Sequence, residues 1–180
     1  MNESVVLWTA RLCVAAYLLR YIAVAGAGNG GKSWRVAERV FWTSGWVILI
    51  LHTVCAFQFV HGWSHEAAVI HTARQTENVM GFAYGGGVWF NYAMIALWGW
   101  DVALLWQSGG VANLRLDGTP SLHRFRSIGV QVYLALMVVA ATVVFGPIYW
   151  QGVGAAFVFA VAAVRLSRRK PKSAPHDMTC

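Results

Sequence analysis

Apolar residues run almost unbroken through five stretches of this chain, about 5–25, 40–62, 87–106, 128–149 and 151–166, and polar residues collect between them. A helix needs roughly 20 residues, at about 1.5 Å each, to cross a hydrocarbon core of about 30 Å. The pattern therefore predicts an all-α integral membrane bundle of about five transmembrane helices, a single domain over 1–166. The fifth stretch is the shortest. It follows the turn at Gly146-Pro147 and reaches only about 24 Å, so a re-entrant helix is its rival reading. Between the second and third stretches, His65 to Met80 reads as a separate amphipathic helix. Ser64 is its N-cap, Glu66 sits in its first turn, and Gly81 ends it. Val69, Ile70, Ala73 and Met80 fall broadly on one side and His71, Arg74 and Asn78 on another, as in a helix lying along a membrane face.

Charge placement gives the expected topology. Lys32, Arg35 and Arg39 follow the first stretch, Arg115, Arg124 and Arg126 the third, and Arg165, Arg168, Arg169, Lys170 and Lys172 the fifth. The N-terminus, the second loop and the fourth loop hold only Arg74. Cytoplasmic loops carry the excess of Lys and Arg. The N-terminus and the His65–Met80 helix are thus expected outside, and the C-terminus in the cytoplasm of a multi-pass protein of the cell membrane, a bacterial inner membrane on this reading. A four-span arrangement would leave the basic tail outside. Ala23-Val24-Ala25 looks like a cleavage site, but Glu3 replaces a basic leader and Arg11 and Arg20 interrupt the apolar run, so the first helix is expected to be retained.

Composition agrees with this class. Hydrophobic residues make up 58% of the 180 and charged residues 12%, against roughly a quarter in a soluble domain. The net charge of +7 comes largely from the cytoplasmic loops and from the basic, proline-interrupted tail at 167–180. That tail is expected to be disordered against an anionic leaflet. It has no groove-reading element, which excludes a nucleic-acid partner. The expected partners are the bilayer, and a membrane protein or a second copy of the chain. Trp8, Trp34, Trp42, Trp63, Trp106 and Trp150 fall near the ends of the stretches and read as interfacial anchors, with Trp46, Trp98 and Trp100 as helix-packing residues. Cys13 and Cys55 lie inside predicted spans, and the chain has no C-x-x-C pair.

Chemistry concentrates in two places. The first is His61-Gly-Trp-Ser-His65-Glu66, with His71, Arg74 and Glu77 beyond it. His61 and His65 are four apart, which on one helix places both imidazoles on a face about 6 Å apart. That spacing suits a transition metal such as copper, zinc or iron, with Glu66 and His71 as further ligands or orienting groups. Gly62 and Ser64 set a condition on this reading: a helix that begins at Ser64 breaks the shared face. Arg74 and Glu77 read as a local surface pair. The element resembles a single histidine box of the membrane desaturases and hydroxylases. Those proteins carry several boxes on the cytoplasmic side, so one box on the other side does not place the chain among them. Asn91, Tyr92 and Arg11 are positioned to complete a polar pocket beside His61, and Gly85-Gly86-Gly87 would let the loop fold tightly beneath the histidine helix.

The second place is within the spans, where a charge costs about 2.5–3.5 kcal/mol on insertion scales. Arg20 and Asp101 lie about 22 Å and 21 Å below the outer ends of their helices, so an intramembrane ion pair, or a shared polar partner, is expected between them. A proton or ion path is the alternative, and Arg20 could also snorkel to headgroups. His52 is a candidate axial haem ligand; its alternative is a hydrogen bond to a neighbouring helix. His52 and His61 are nine apart, roughly 180° of rotation on a straight helix, so they are expected to point in opposite directions. Three functions remain open on these residues: a small metal- or haem-binding, redox-associated membrane protein; a non-catalytic accessory or assembly subunit; and a small transporter using Arg20 and Asp101. The chain has no nucleophile elbow, phosphate loop or dinucleotide fingerprint.

Overall fold

The structure, a computed structural model, describes residues 2–27, 32–107 and 122–167. These residues are mostly helical, with no strand among them. The order is α1 (Asn2–Ala27), α2 (Lys32–Ala56) continued by a π-turn (Phe57–His61), α3 (His65–Met80), α4 (Gly87–Gln107), α5 (Leu122–Val139) continued by a second π-turn (Ala140–Val144), and α6 (Tyr149–Ser167). Beyond Ser167 the expected disordered tail lies outside the described residues, as does Arg115.

Four stretches are long and apolar enough to cross a membrane: Ser4–Gly26, Val36–His61, Gly87–Gln107 and Tyr149–Leu166. Ile128–Val144 is apolar but shorter. The fifth expected stretch is thus among these four, and the fourth lies in α5, which runs from Leu122. Pro147 does not delay the last helix, because its carbonyl accepts from Trp150 N at 3.0 Å and opens the helix from Tyr149.

Helix α2 begins at Lys32, well before the apolar stretch expected to start near residue 40. Its early residues include Lys32, Arg35, Glu38 and Arg39, and such long side chains propagate helix readily. The extension carries Glu38 into the protein, where it is buried. The apolar core centres on three rings. Tyr17 of α1, Trp42 of α2 and Trp98 of α4 lie with ring centroids 4.8–5.9 Å apart, and Met94, Val102, Leu105, Leu134 and Val138 close around them. Trp42 and Trp98 are wholly inaccessible. Trp42 is thus a core residue and not an interfacial anchor. Trp8, Trp34, Trp63, Trp100 and Trp106 are exposed.

Helix α3 has the bounds its caps predict. The Ser64 side chain accepts from Ala67 N, and Gly81 takes the left-handed conformation at φ 79° with its N–H on the Glu77 carbonyl. Ala68 and Thr76 are buried, while Ile70, Val79 and Met80 are exposed. Small residues face inward because α3 lies close against the start of α4. A Cβ on Gly85 would come within 2.8 Å of the Val69 carbonyl oxygen, and one on Gly87 within 2.8 Å of the Thr72 methyl. The glycine run permits that approach.

Candidate functional site

The π-turn at Phe57–His61 ends α2 with Gly62 at φ 56° and Trp63 at φ 61°, both left-handed. Two successive left-handed residues redirect the chain, and α3 starts afresh at His65. His61 and His65 therefore do not share a helix face. His65 Nδ1 lies 3.0 Å from the Tyr92 hydroxyl, and its ring stands against Trp89 and Tyr92. His61 instead meets His71, with ring centroids 5.3 Å apart, and Phe57 on its other side. Glu66 is exposed in the first turn of α3. Among the described residues no three His, Cys, Asp or Glu side chains form a group that could hold a metal ion. The structure thus gives no support to the expected metal site at His61, His65, Glu66 and His71, and the turn at Gly62-Trp63 separates the two histidines that were to anchor it. Arg74 and Glu77, both exposed, form no ion pair among the described residues.

The same π-turn brings His52 and His61 together on one cavity. In a straight α-helix they would be roughly 180° apart. A π-turn spends an extra residue in one turn, which pulls the phase back by roughly 100°. Both side chains line a cavity of about 500 Å³ at the α3 end of the bundle, between α1, α2, α3, α4 and α5. Asn91 and Tyr92 line it too. Arg11 does not: its Nε donates to the Tyr149 hydroxyl at 3.1 Å and its guanidinium lies 4.9 Å from the Trp8 ring. The second π-turn borders the cavity on the other side through Ala140 and Ala141. Such single turns recur at functional sites because they redirect side chains at the expense of regular helix bonding.

The tautomer of His52 follows from its neighbours. Its Nδ1 is 3.1 Å from the Val6 carbonyl oxygen and 3.1 Å from Thr9 Oγ1. A carbonyl only accepts, so Nδ1 donates and Nε2 is left as an acceptor. The ring is tied to α1 through Nδ1, the interhelical bond that stood as the alternative to haem ligation. Cys13 also lines the cavity, with its thiol 3.5 Å from the Gly45 carbonyl oxygen. Cys13 and Cys55 are both free.

Toward the opposite end lies a buried polar network. Arg20, Glu38 and Asp101 are each less than a tenth exposed. Arg20 Nη2 reaches Glu38 Oε1 at 3.3 Å, the ion pair it forms among the described residues. Its Nη1 donates to Gln131 Oε1 at 2.8 Å. Gln131 in turn donates through Nε2 to Asp101 Oδ2 at 2.8 Å, and the same carboxylate oxygen accepts from Trp42 Nε1 at 2.8 Å. Tyr21 donates its hydroxyl to Gln131 Oε1 at 2.8 Å. The guanidinium lies 4.2 Å from the centre of the Trp42 ring, within cation–π range. Arg20 and Asp101 are thus joined through Gln131, while the direct pairing is with Glu38. Glu38, Trp42 and Gln131 are absent from the expected site. One signal was available: Gln131 is an amide within an apolar run, and such a group needs a partner there.

Comparisons with protein-family models, with curated proteins and with solved structures gave no match to this chain. Its chemistry is read from its own side chains.

Proposed function

We propose that the chain is a multi-pass membrane protein that binds a small molecule in the cavity at its α3 end, with His52 and His61 as the recognising side chains. On this reading the N-terminus and α3 face the non-cytoplasmic side of the cell membrane, in keeping with the placement of Lys and Arg along the sequence. Exposed Trp63, Phe82, Tyr84 and Trp89 near the ends of α3 suit the headgroup level, where amphipathic rings are favoured. The observation that carries the proposal is the π-turn at Phe57–His61. It gives up regular α-helical bonding in the one segment where doing so turns a second imidazole onto the cavity His52 already lines. The cavity also has the size of small-molecule sites, roughly 300–1,000 Å³. The Arg20–Glu38–Gln131–Asp101 network is read as a brace between α1, α2, α4 and α5.

Mass spectrometry of the intact protein released from nanodiscs tests this reading. Wild type is expected to retain a one-to-one adduct smaller than a phospholipid. Deleting Phe59 restores α-helical phase and swings His61 off the cavity, and His52→Phe removes the Nε2 acceptor. Each change is expected to lower adduct retention about three- to tenfold, the worth of a hydrogen bond, with helix content kept. Equal adduct occupancy in wild type, both variants and the cavity-filling Met137→Trp would overturn the proposal.

A further inference from the structure

We infer that the cavity takes a neutral amphiphile drawn from the bilayer, a single apolar chain or ring system ending in a hydroxyl or carbonyl head. This rests on the reading of the cavity as the binding site and adds the chemistry of what fills it. Three observations carry it.

The first is charge. No Lys, Arg, Asp or Glu is among the described residues that line the cavity. Arg11, on the neighbouring turn of α1, is held away by Tyr149 and Trp8. A carboxylate or phosphate head would lose its hydration and meet no fixed countercharge, which is a large penalty in an apolar setting. A hydroxyl or carbonyl needs only one or two hydrogen bonds, and the imidazoles provide them: Nε2 of His52 accepts, and His61 offers a ring nitrogen of either kind.

The second is the gradient of polarity along the cavity. Toward α3 its walls hold Gln75 and Asn91, each with free amide capacity. One turn deeper, Met94, Met137 and Val138 form the floor, and all three belong to or pack on the apolar cluster around Trp98. Methionine side chains adapt to irregular apolar ligands. A polar mouth over an apolar floor matches a ligand with a polar head and an apolar body.

The third is size and position. About 500 Å³ suits one chain or a compact ring system, and is too small for a two-chain phospholipid. His52 and Met94 lie within stretches long and apolar enough to span a membrane, and Met137 within the apolar helix segment Ile128–Val144, so the cavity sits at a depth where a ligand arrives from the lipid.

Photolabelling in nanodiscs tests the class. The two probes are a long-chain alcohol bearing a diazirine near its chain end, and the same chain ending in a carboxylate. The alcohol is expected to label the peptides containing Met94 or Met137, to be displaced by unlabelled alcohol, and to exceed the carboxylate by about tenfold or more. Met137→Trp is expected to abolish that labelling. Ala141→Leu, at an accessible lining position, gives a second block if the larger ring disturbs folding. Equal or stronger labelling by the carboxylate, blocked by the same substitutions, overturns the neutral class and leaves the binding site standing. Absence of blockable labelling by either probe overturns the amphiphile. If the adducts of intact wild type are also unaffected by Met137→Trp, the site itself falls with it.

Discussion

Replacing Arg20 with Met is expected to destabilise the folded bundle by about 3–5 kcal/mol, read as a lowered midpoint of denaturant unfolding in detergent. The guanidinium is 4% exposed and satisfies two acceptors, Glu38 Oε1 directly and Gln131 Oε1 beside it. Removing it leaves the Glu38 carboxylate buried with no ion-pair partner among the described residues, and the Gln131 amide that bridges to Asp101 loses its anchor. The double variant Arg20→Met with Glu38→Met separates bare charge from lost packing. Exchanging a whole buried pair for apolar residues is often close to neutral, so the double is expected to recover most of the loss. A double variant as unstable as the single would mean that Glu38 is not the charge left bare. Asp101→Asn is expected to be milder, because an amide oxygen can still accept from Trp42 Nε1 and Gln131 Nε2.

Trp98→Ala is expected to cost about 3–5 kcal/mol, the range for emptying a large aromatic site. Its ring is wholly inaccessible and touches both Tyr17 and Trp42. Within a bilayer the hydrophobic term between helices fades, but the lost dispersion contacts do not. Trp98→Phe gives the opposing control. The indole Nε1 is buried with no hydrogen-bond partner among the described residues, and leaving a donor unsatisfied costs about 1–3 kcal/mol. Phenylalanine removes that donor and keeps most of the ring, so its net cost is expected to stay below about 1 kcal/mol. Equal losses in the two variants would show that the donor finds a partner in the membrane.

What the sequence reveals here depends on the range of the interaction. Ser64 and Gly81 mark the ends of α3 because caps are made within one turn of chain, and both bounds are legible from residue type alone. The break between His61 and His65 was legible too, as a condition set by Gly62 and Ser64. The π-turn was not. It satisfies contacts between helices, and Phe57–His61 carries no composition that separates it from ordinary helix; the opposed placement of His52 and His61 followed from assuming a straight one. Glu38 was missed for a related reason. Hydropathy places the start of the second span near residue 40, whereas the helix runs from Lys32 and buries Glu38 only because Arg20 on α1 crosses it. The depth of Arg20 and Asp101 could be counted along their own helices. Their connection through Gln131 needed the third helix in place.

The rings of Tyr17, Trp42 and Trp98 separate two very different interiors. On one side is the cavity lined by His52 and His61; on the other, Arg20 is paired with Glu38 and joined to Asp101 through the Gln131 amide. Trp42 and Trp98, at 0% exposure, offer water no accessible surface in that layer. A membrane potential is worth about 2.3 kcal/mol per elementary charge for each 100 mV, and in a membrane it would fall across such a dry layer without driving ions through it. A layer of packed aromatic rings acts as an electrical insulator. On the proposed reading, a ligand would then enter and leave the α3 end of the bundle without short-circuiting the bilayer.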